Sequence, residues 1–193
     1  MAGPITKVPS KWQTVNKIVL ASININGVRS KNLELQAFLD THSSDVVALQ
    51  ETKIDSSVGT QELLPATLGY VTFRNDRTMG GGGTMLLIKK QLQPVAAPFL
   101  TNGSESVWAK FTVNGSCYYV ASWYKDPDAQ SDHINLLREQ LNMITAKYQA
   151  GRQPCFHVLG DFNYSKIDWF TRLNMESQNC LTQSCGKPLL ASA

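Results

Sequence analysis

The sequence lacks several features that would define whole classes of protein. Its 193 residues contain no apolar run of the roughly 20 residues that a membrane-spanning helix needs, and residues 1–16 lack the apolar core of a secretory signal. The four cysteines include no pair with the spacing of a zinc knuckle or redox motif. We therefore expect an intracellular protein, nuclear or cytoplasmic and not attached to a membrane, in which Cys117 and Cys155 are small buried hydrophobic residues.

A strong charge imbalance is also absent. Lys and Arg number 18 against 15 Asp and Glu, which gives a net charge of +3 and a pI near 8.7. This weakly favours an anionic partner, without the dense basic patch that marks many nucleic-acid-binding proteins. With 42% hydrophobic residues the chain can form one sizeable core. We expect a flexible basic arm over residues 1–16, one domain over 17–172 and an atypical tail over 173–193.

The pattern of apolar residues predicts alternating strands and helices. Asn114-Gly115 separates two strand-like runs and is a strong hairpin signal. The spacing of apolar residues from Ile134 to Tyr148 predicts an amphipathic helix. Because the hairpin is antiparallel, we expect an α/β fold with a mixed sheet and helices outside it. The predicted strands cover residues 17–22, 45–49, 70–74, 84–88, 106–113, 116–122 and 155–159, and the predicted helices cover 32–40 and 132–148.

Polar side chains follow three of these strands. Asn24, Glu51 and the pair Asp161 and Asn163 each come after an apolar run. Taken alone, Asp161 and Asn163 are equally typical of a turn stabilised by side chains. As a set at the carboxyl ends of strands, where α/β sheets bind ligands, they predict an oxygen-rich site. Such a site suits Mg²⁺ or Mn²⁺.

Three segments resemble the signature blocks of the endonuclease/exonuclease/phosphatase superfamily. They are Asn24-Ile25-Asn26-Gly27, Leu49-Gln50-Glu51-Thr52 and Gly160-Asp161-Phe162-Asn163. The following Tyr164 and Ile167-Asp168-Trp169, with the glycine run before residue 84, most resemble the endonuclease domain of LINE-type, non-LTR retrotransposons. The resemblance implies a mixed-sheet α/β sandwich and cleavage of DNA phosphodiester bonds with Mg²⁺ or Mn²⁺.

The resemblance also implies roles for individual residues. Glu51 would bind the metal with Asn24 beside it, and Asp161 would orient or deprotonate the attacking water. Asn163 would hold the reacting phosphate, and Tyr124 lies where the family has a catalytic tyrosine. Hydrogen-bond donors and a cation around the developing charge are what phosphoryl transfer requires.

The sequence departs from the family pattern in its later part. The family ends with a Ser-Asp-His block on a late strand, whose histidine contacts the scissile phosphate, and no histidine follows His157. Ser131-Asp132-His133 has the same letters, but we interpret it as the start of a helix. We expect His42 and His157 to be structural. The last strands of the fold are therefore expected to be missing.

Two further segments are interpreted against the family pattern. Asp126, in Lys125-Asp126-Pro127, adds negative charge where a phosphate backbone would pass. The glycines at 80–83 lack the Gly-Lys-Ser/Thr ending of a phosphate-binding P-loop, so we expect them to allow close packing beside the sheet.

Three functions follow from these observations. The first is a metal-dependent DNA endonuclease domain derived from a retrotransposon, with activity reduced or lost through truncation. The second is a phosphoesterase of the same superfamily that acts on a small molecule. The third is a non-catalytic fragment that binds nucleic acid or protein.

Overall fold

A computed structural model describes residues 17–129, 133–148 and 153–164, together with the backbone of Cys180–Gln183. No helix within these ranges has the length and apolar character needed to cross a membrane. The strands are β1 (Leu20–Asn24), β2 (Val46–Gln50), β3 (Tyr70–Asn75), β4 (Thr84–Lys89), β5 (Val95–Ala96), β6 (Glu105–Val113), β7 (Ser116–Tyr124), β8 (Cys155–Asp161) and β9 (Cys180–Gln183). The helices are α1 (Asn32–His42), α2 (Thr60–Leu63) and α3 (His133–Ala146).

The strands form two mixed sheets. The first has four strands in the order β1-β2-β4-β3, and the second has five in the order β5-β6-β7-β8-β9. The pairs β1/β2 and β7/β8 are parallel, and each is connected through a helix, α1 in the first case and α3 in the second. The other pairs are antiparallel. Parallel strands need such a crossover, whereas β6 and β7 need only the two-residue turn at Asn114-Gly115.

Three apolar clusters hold these layers together. The cluster between the sheets contains Val46, Ala48, Leu86 and Val120 from facing strands. A second cluster packs Leu35 and Leu39 of α1 against the outer face of the first sheet. A third packs Leu137 and Ile144 of α3 against the outer face of the second sheet. Alternate residues of β2 thus enter different clusters, which explains why its burial is complete. The predicted mixed-sheet α/β sandwich is confirmed.

Several boundaries differ from the predicted ones. β7 continues to Tyr124 and β8 to Asp161, so both residues end strands and do not lie in turns. The segments α2, β5 and β9 were not predicted, and β9 lies inside the segment expected to be an atypical tail. Cys155 is buried as expected, but it is disulfide-bonded.

Candidate active site

Asn24 joins carboxylates from both sheets. It ends β1, while Glu51 follows β2 in the same sheet and Asp161 ends β8 in the other. The Asn24 amide Nδ2 donates to Glu51 Oε1 at 2.8 Å and to Asp161 Oδ2 at 3.0 Å. The structure therefore brings together three of the predicted site residues where carboxyl ends of strands from the two sheets meet.

Glu51 is held in an unusual backbone conformation. Its φ is +53°, in the left-handed region, which costs a residue with a Cβ about 1–2 kcal/mol. Its carbonyl accepts the Gly27 N–H at 2.8 Å, and the next N–H, of Thr52, donates to Gly83 O at 3.2 Å. Asn26, Lys53 and Asn163 also have positive φ values, between 46° and 51°. Four of the seven described non-glycine residues with positive φ thus lie in the segments that carry Asn24, Glu51 and Asp161.

Lys53 is a site residue that the sequence did not predict. Its Nζ lies 3.2 Å from Glu51 Oε2, and it donates to the Asn26 side-chain oxygen. The Asn24 hydrogen bond lowers the pKa of Glu51, and Lys53 lowers it further, while partial burial opposes both effects. The carboxylate is therefore ionised at neutral pH. A cationic side chain two residues after a candidate metal ligand was the available signal for the pairing with Glu51, and it did not indicate the contact with Asn26.

Tyr124 lies next to the two carboxylates. It is opposite Asp161 in the parallel register of β7 and β8, and only 5% of it is exposed. Burial raises the pKa of its hydroxyl to about 12, and the charges of Glu51, Asp126, Glu105 and Asp161 contribute in that order. At neutral pH the hydroxyl is consequently a neutral hydrogen-bond donor.

Asn163 follows Asp161 by two residues, but its amide is bonded to the segment after Tyr124. Nδ2 donates to the Lys125 carbonyl at 2.8 Å, while the Lys125 N–H donates to Asp161 O at 3.0 Å. The Lys125 ammonium lies 5.4 Å from the centre of the Tyr164 ring, a cation–π contact. Asn163 therefore fixes the segment after Tyr124, and its role on a phosphate remains a prediction.

A polar bridge connects the two sheets beneath the site. Gln50 Nε2 donates to Ser122 Oγ at 3.0 Å, and Ser122 Oγ donates to Leu49 O at 2.7 Å. Ser22 Oγ in turn donates to Gln50 Oε1 at 3.3 Å. These partners are more than 25 residues apart in sequence and lie within apolar strands, so nothing in the local pattern revealed them. Gln50 and Ser122 are buried and paired, so they fix how the strands carrying the site residues meet.

The glycine run makes close contacts, as predicted. A Cβ on Gly83 would lie 2.4 Å from Thr52 Oγ1, and one on Gly82 would lie 2.2 Å from Glu105 Oε1. The Gly82 carbonyl also accepts the Lys53 N–H at 2.9 Å. The loop between β3 and β4 is thereby attached to the segment that carries Glu51.

The three histidines of the chain all lie in the described ranges. His42 ends α1, where its Nδ1 is 3.1 Å from Phe38 O. His133 begins α3 with its ring 5.8 Å from that of Trp123, whereas Ser131 and Asp132 are outside the described residues. His157 stacks on Tyr118 with ring centres 6.1 Å apart. None of the contacts described for Asn24, Glu51 and Asp161 involves a histidine.

The chemistry of the donor set fits a hard divalent cation. Glu51 and Asp161 supply carboxylate oxygens, the ligands that Mg²⁺ takes while it keeps several waters. The Asn24 amide faces both carboxylates with its NH2 group, and its oxygen accepts the Asn26 N–H at 3.2 Å. Within the described ranges no three His, Cys, Asp or Glu side chains form a closed metal-binding cluster.

Comparisons with known proteins agree with this fold. A model of the Endonuclease/Exonuclease/phosphatase family matches residues 21–188. The chain is 31% identical to exodeoxyribonuclease III of Haemophilus influenzae over 85 residues, which are 44% of this chain and 31% of that protein. It is 29% identical to DNA-(apurinic or apyrimidinic site) endonuclease 2 of Xenopus laevis over 119 residues, which are 58% of this chain and 21% of that protein.

A solved structure shares the fold at lower sequence identity. The 3′ phosphatase NExo from Neisseria, bound to a product DNA hairpin, matches with a TM-score of 0.53 and 17% identity. The match covers 79% of this chain and 60% of that one. The matches to exodeoxyribonuclease III and to DNA-(apurinic or apyrimidinic site) endonuclease 2 span well under half the length of those two relatives. Since the family match covers most of its length, the chain belongs to the Endonuclease/Exonuclease/phosphatase family.

Proposed function

We propose that this chain is a metal-dependent nuclease domain that hydrolyses phosphodiester bonds in DNA and derives from a non-LTR retrotransposon. The observation that carries this proposal is the Asn24 amide bound to both Glu51 and Asp161 beside the Tyr124 hydroxyl. The DNA-directed names of the curated relatives and the DNA hairpin held by the Neisseria protein support the choice of substrate. The Gly160-Asp161-Phe162-Asn163-Tyr164 run supports the retrotransposon origin.

The site residues divide the chemistry between them. Glu51 and Asn24 would hold Mg²⁺ or Mn²⁺, which supplies positive charge for the phosphate and acidifies bound water. The Asp161 carboxylate, oriented by Asn24, accepts the proton of the attacking water. Tyr124, which is protonated at neutral pH, donates a hydrogen bond to a phosphate oxygen. Asn163 Nδ2 carries two N–H groups, so while one is bonded to the Lys125 carbonyl the other would donate to the same phosphate.

A plasmid-nicking assay with Mg²⁺ tests the proposal. Nicking by the wild type should fall by about 10²–10⁴-fold in Glu51→Ala and in Asp161→Ala, because each loses a charged group at the reacting phosphate. Glu62→Ala is the matched control, since it removes an exposed carboxylate on α2. Equal nicking by all four proteins would contradict the assignment of this site. Hydrolysis of a small phosphodiester without plasmid nicking would favour a small-molecule phosphoesterase.

A non-catalytic role in binding nucleic acid is the second candidate. The absence of histidine from the described contacts of Asn24, Glu51 and Asp161 favours it, because a missing transition-state stabiliser typically costs ~10²–10³-fold in rate. DNA binding without nicking at any metal concentration would support this candidate over the first.

A further inference from the structure

Arg77 lies beside the site in the loop between β3 and β4. Its Nη1 donates to Glu105 Oε2 at 3.1 Å, and Nη1 and Nη2 both contact Asp126 Oδ2, at 3.2 and 3.3 Å. The side chain is 44% exposed, so part of the guanidinium faces solvent. Since a guanidinium has five N–H donors, these contacts leave donors for another anion.

The two carboxylates bound by Arg77 differ in their other contacts. Glu105 is 14% exposed, accepts the Gly83 N–H with its second oxygen and lies opposite Tyr124 in the β6/β7 register. Asp126 is 33% exposed, and its second oxygen accepts a local bond from the Asp128 N–H at 3.0 Å. Glu105 is therefore held in place by two contacts. The contact between Asp126 and Arg77 lies at the exposed edge of the site, here called the rim, where another anion can replace Asp126.

This arrangement is close to the proposed reaction centre. The negative charges of Asp126 and Glu105 both act on the Tyr124 hydroxyl and raise its pKa. Moreover, Gly82 and Gly83, in the same loop as Arg77, bond to the backbone of Lys53 and Thr52, next to Glu51. A nucleic acid with one phosphate between Glu51 and Tyr124 would carry its adjacent phosphates towards this side of the site, where Glu105 lies opposite Tyr124 and holds Arg77.

We propose that Arg77 binds a phosphate flanking the scissile one, and that Asp126 occupies the guanidinium until the nucleic acid displaces it. Asp126 thus competes with anionic ligands for Arg77 and lowers their affinity. Arg77 determines where the nucleic-acid backbone crosses the rim. The inference rests on the proposed function in that the ligand is a nucleic acid. It does not require that the chain cleave it.

A double-mutant cycle measured by binding tests this exchange. The full chain is titrated with a fluorescent DNA duplex in EDTA, at several salt concentrations, as the wild type, Arg77→Gln, Asp126→Asn and the double variant. Arg77→Gln should weaken binding by about fivefold and reduce the salt slope by about one, as loss of one phosphate contact does. Asp126→Asn should strengthen binding by about two- to fivefold, the range of an exposed ion pair.

Lys147→Gln is the charge-matched control. Tyr148, next to Lys147, contacts Cys117 at the start of β7, and β7 places about 23 Å between Cys117 and Tyr124 at ~3.3 Å per residue. Binding by Arg77→Gln equal to that of Lys147→Gln would overturn the proposal. So would an Asp126→Asn gain of the same size with and without Arg77, because Asp126 would then act only by repulsion.

The outcomes separate this inference from the proposed function. A wild type that binds no DNA overturns both, whereas a wild type that binds with no coupling between Arg77 and Asp126 overturns the exchange alone. Thermal unfolding checks each variant. If Arg77→Gln loses its cooperative transition, the cycle of Arg77→Lys with Asp126→Asn decides in the same way, with a smaller expected coupling because lysine lacks the planar fork.

Discussion

Asn24 and Asp161 are 137 residues apart in the chain, yet one hydrogen bond of 3.0 Å joins the Asn24 amide to the Asp161 carboxylate. The same amide group donates to Glu51. A neutral donor therefore holds two carboxylates close together, and a charge introduced at Asn24 should interact electrostatically with both.

Asn24→Asp should lower the stability of the protein and make it rise on addition of a divalent cation. A third carboxylate here would repel Glu51 and Asp161, and about 1–2 kcal/mol of repulsion lowers the melting temperature of a domain of this size by roughly 2–8 °C. Mg²⁺ should restore the loss, since it prefers such oxygen ligands. Thermal unfolding in EDTA and in Mg²⁺ measures both effects, with Glu34→Gln on α1 as the control. A melting temperature of Asn24→Asp that does not respond to Mg²⁺ would argue against a cation at this site.

The proximity of Asn24, Glu51 and Asp161 was predictable from sequence because each lies where an apolar strand ends. The carboxyl ends of parallel strands meet in space whatever the loops between them do. The contacts of Lys53 with Asn26 and of Arg77 with Asp126 were not predictable. They depend on where long side chains end, and no local pattern encodes that.

Helix α3 shows the same limit within one element. The predicted apolar stripe included Ile134, which is 39% exposed, whereas His133 and Gln140 are buried on the inner face with Leu137 and Ile144. Gln140 is accommodated because its Nε2 donates to Leu100 O at 2.7 Å and to Ser104 Oγ at 2.8 Å. Periodicity predicted the helix correctly, but it could not reveal polar residues whose partners come from another segment.

Gly160→Ala should destabilise the protein strongly. A Cβ at this position would lie 1.8 Å from the Trp123 carbonyl oxygen, a backbone atom of the neighbouring strand that cannot move aside alone. Overpacking typically costs about 1–3 kcal/mol, and we expect the upper end or more here. Urea unfolding measures the change. Gly81→Ala is the matched control, because a Cβ there meets nothing within 4 Å. Similar unfolding midpoints for the two variants would show that β7 and β8 separate more easily than this geometry indicates.

Tyr124 should contribute to a loss of stability in strong alkali. Its pKa is raised from 10.0 to about 12 in the folded protein, so the folded state favours the protonated form. The contribution is complete below pH 10 and is lost as the pH rises from 10 towards 12. Tyr124→Phe should therefore lose less stability than the wild type over this window, measured as the difference between their urea midpoints at pH 9 and pH 11. Identical alkaline losses would contradict the burial and charge environment assigned to this hydroxyl.

His157 should contribute to a loss of stability in mild acid. Burial lowers its pKa from 6.5, and its Nδ1 has no hydrogen-bond partner among the described residues. The unfolded chain gains a proton as the pH falls below 6.5, while the folded protein resists protonation. The stability is thus present above this pH and lost below it, by at most about 1.4 kcal/mol per pH unit for one proton.

His157→Phe keeps a ring to stack on Tyr118 and removes the titration. Its stability should fall less than that of the wild type between pH 7.5 and pH 5.5 in urea unfolding. An equally large acid loss in His157→Phe would assign the proton uptake to other groups.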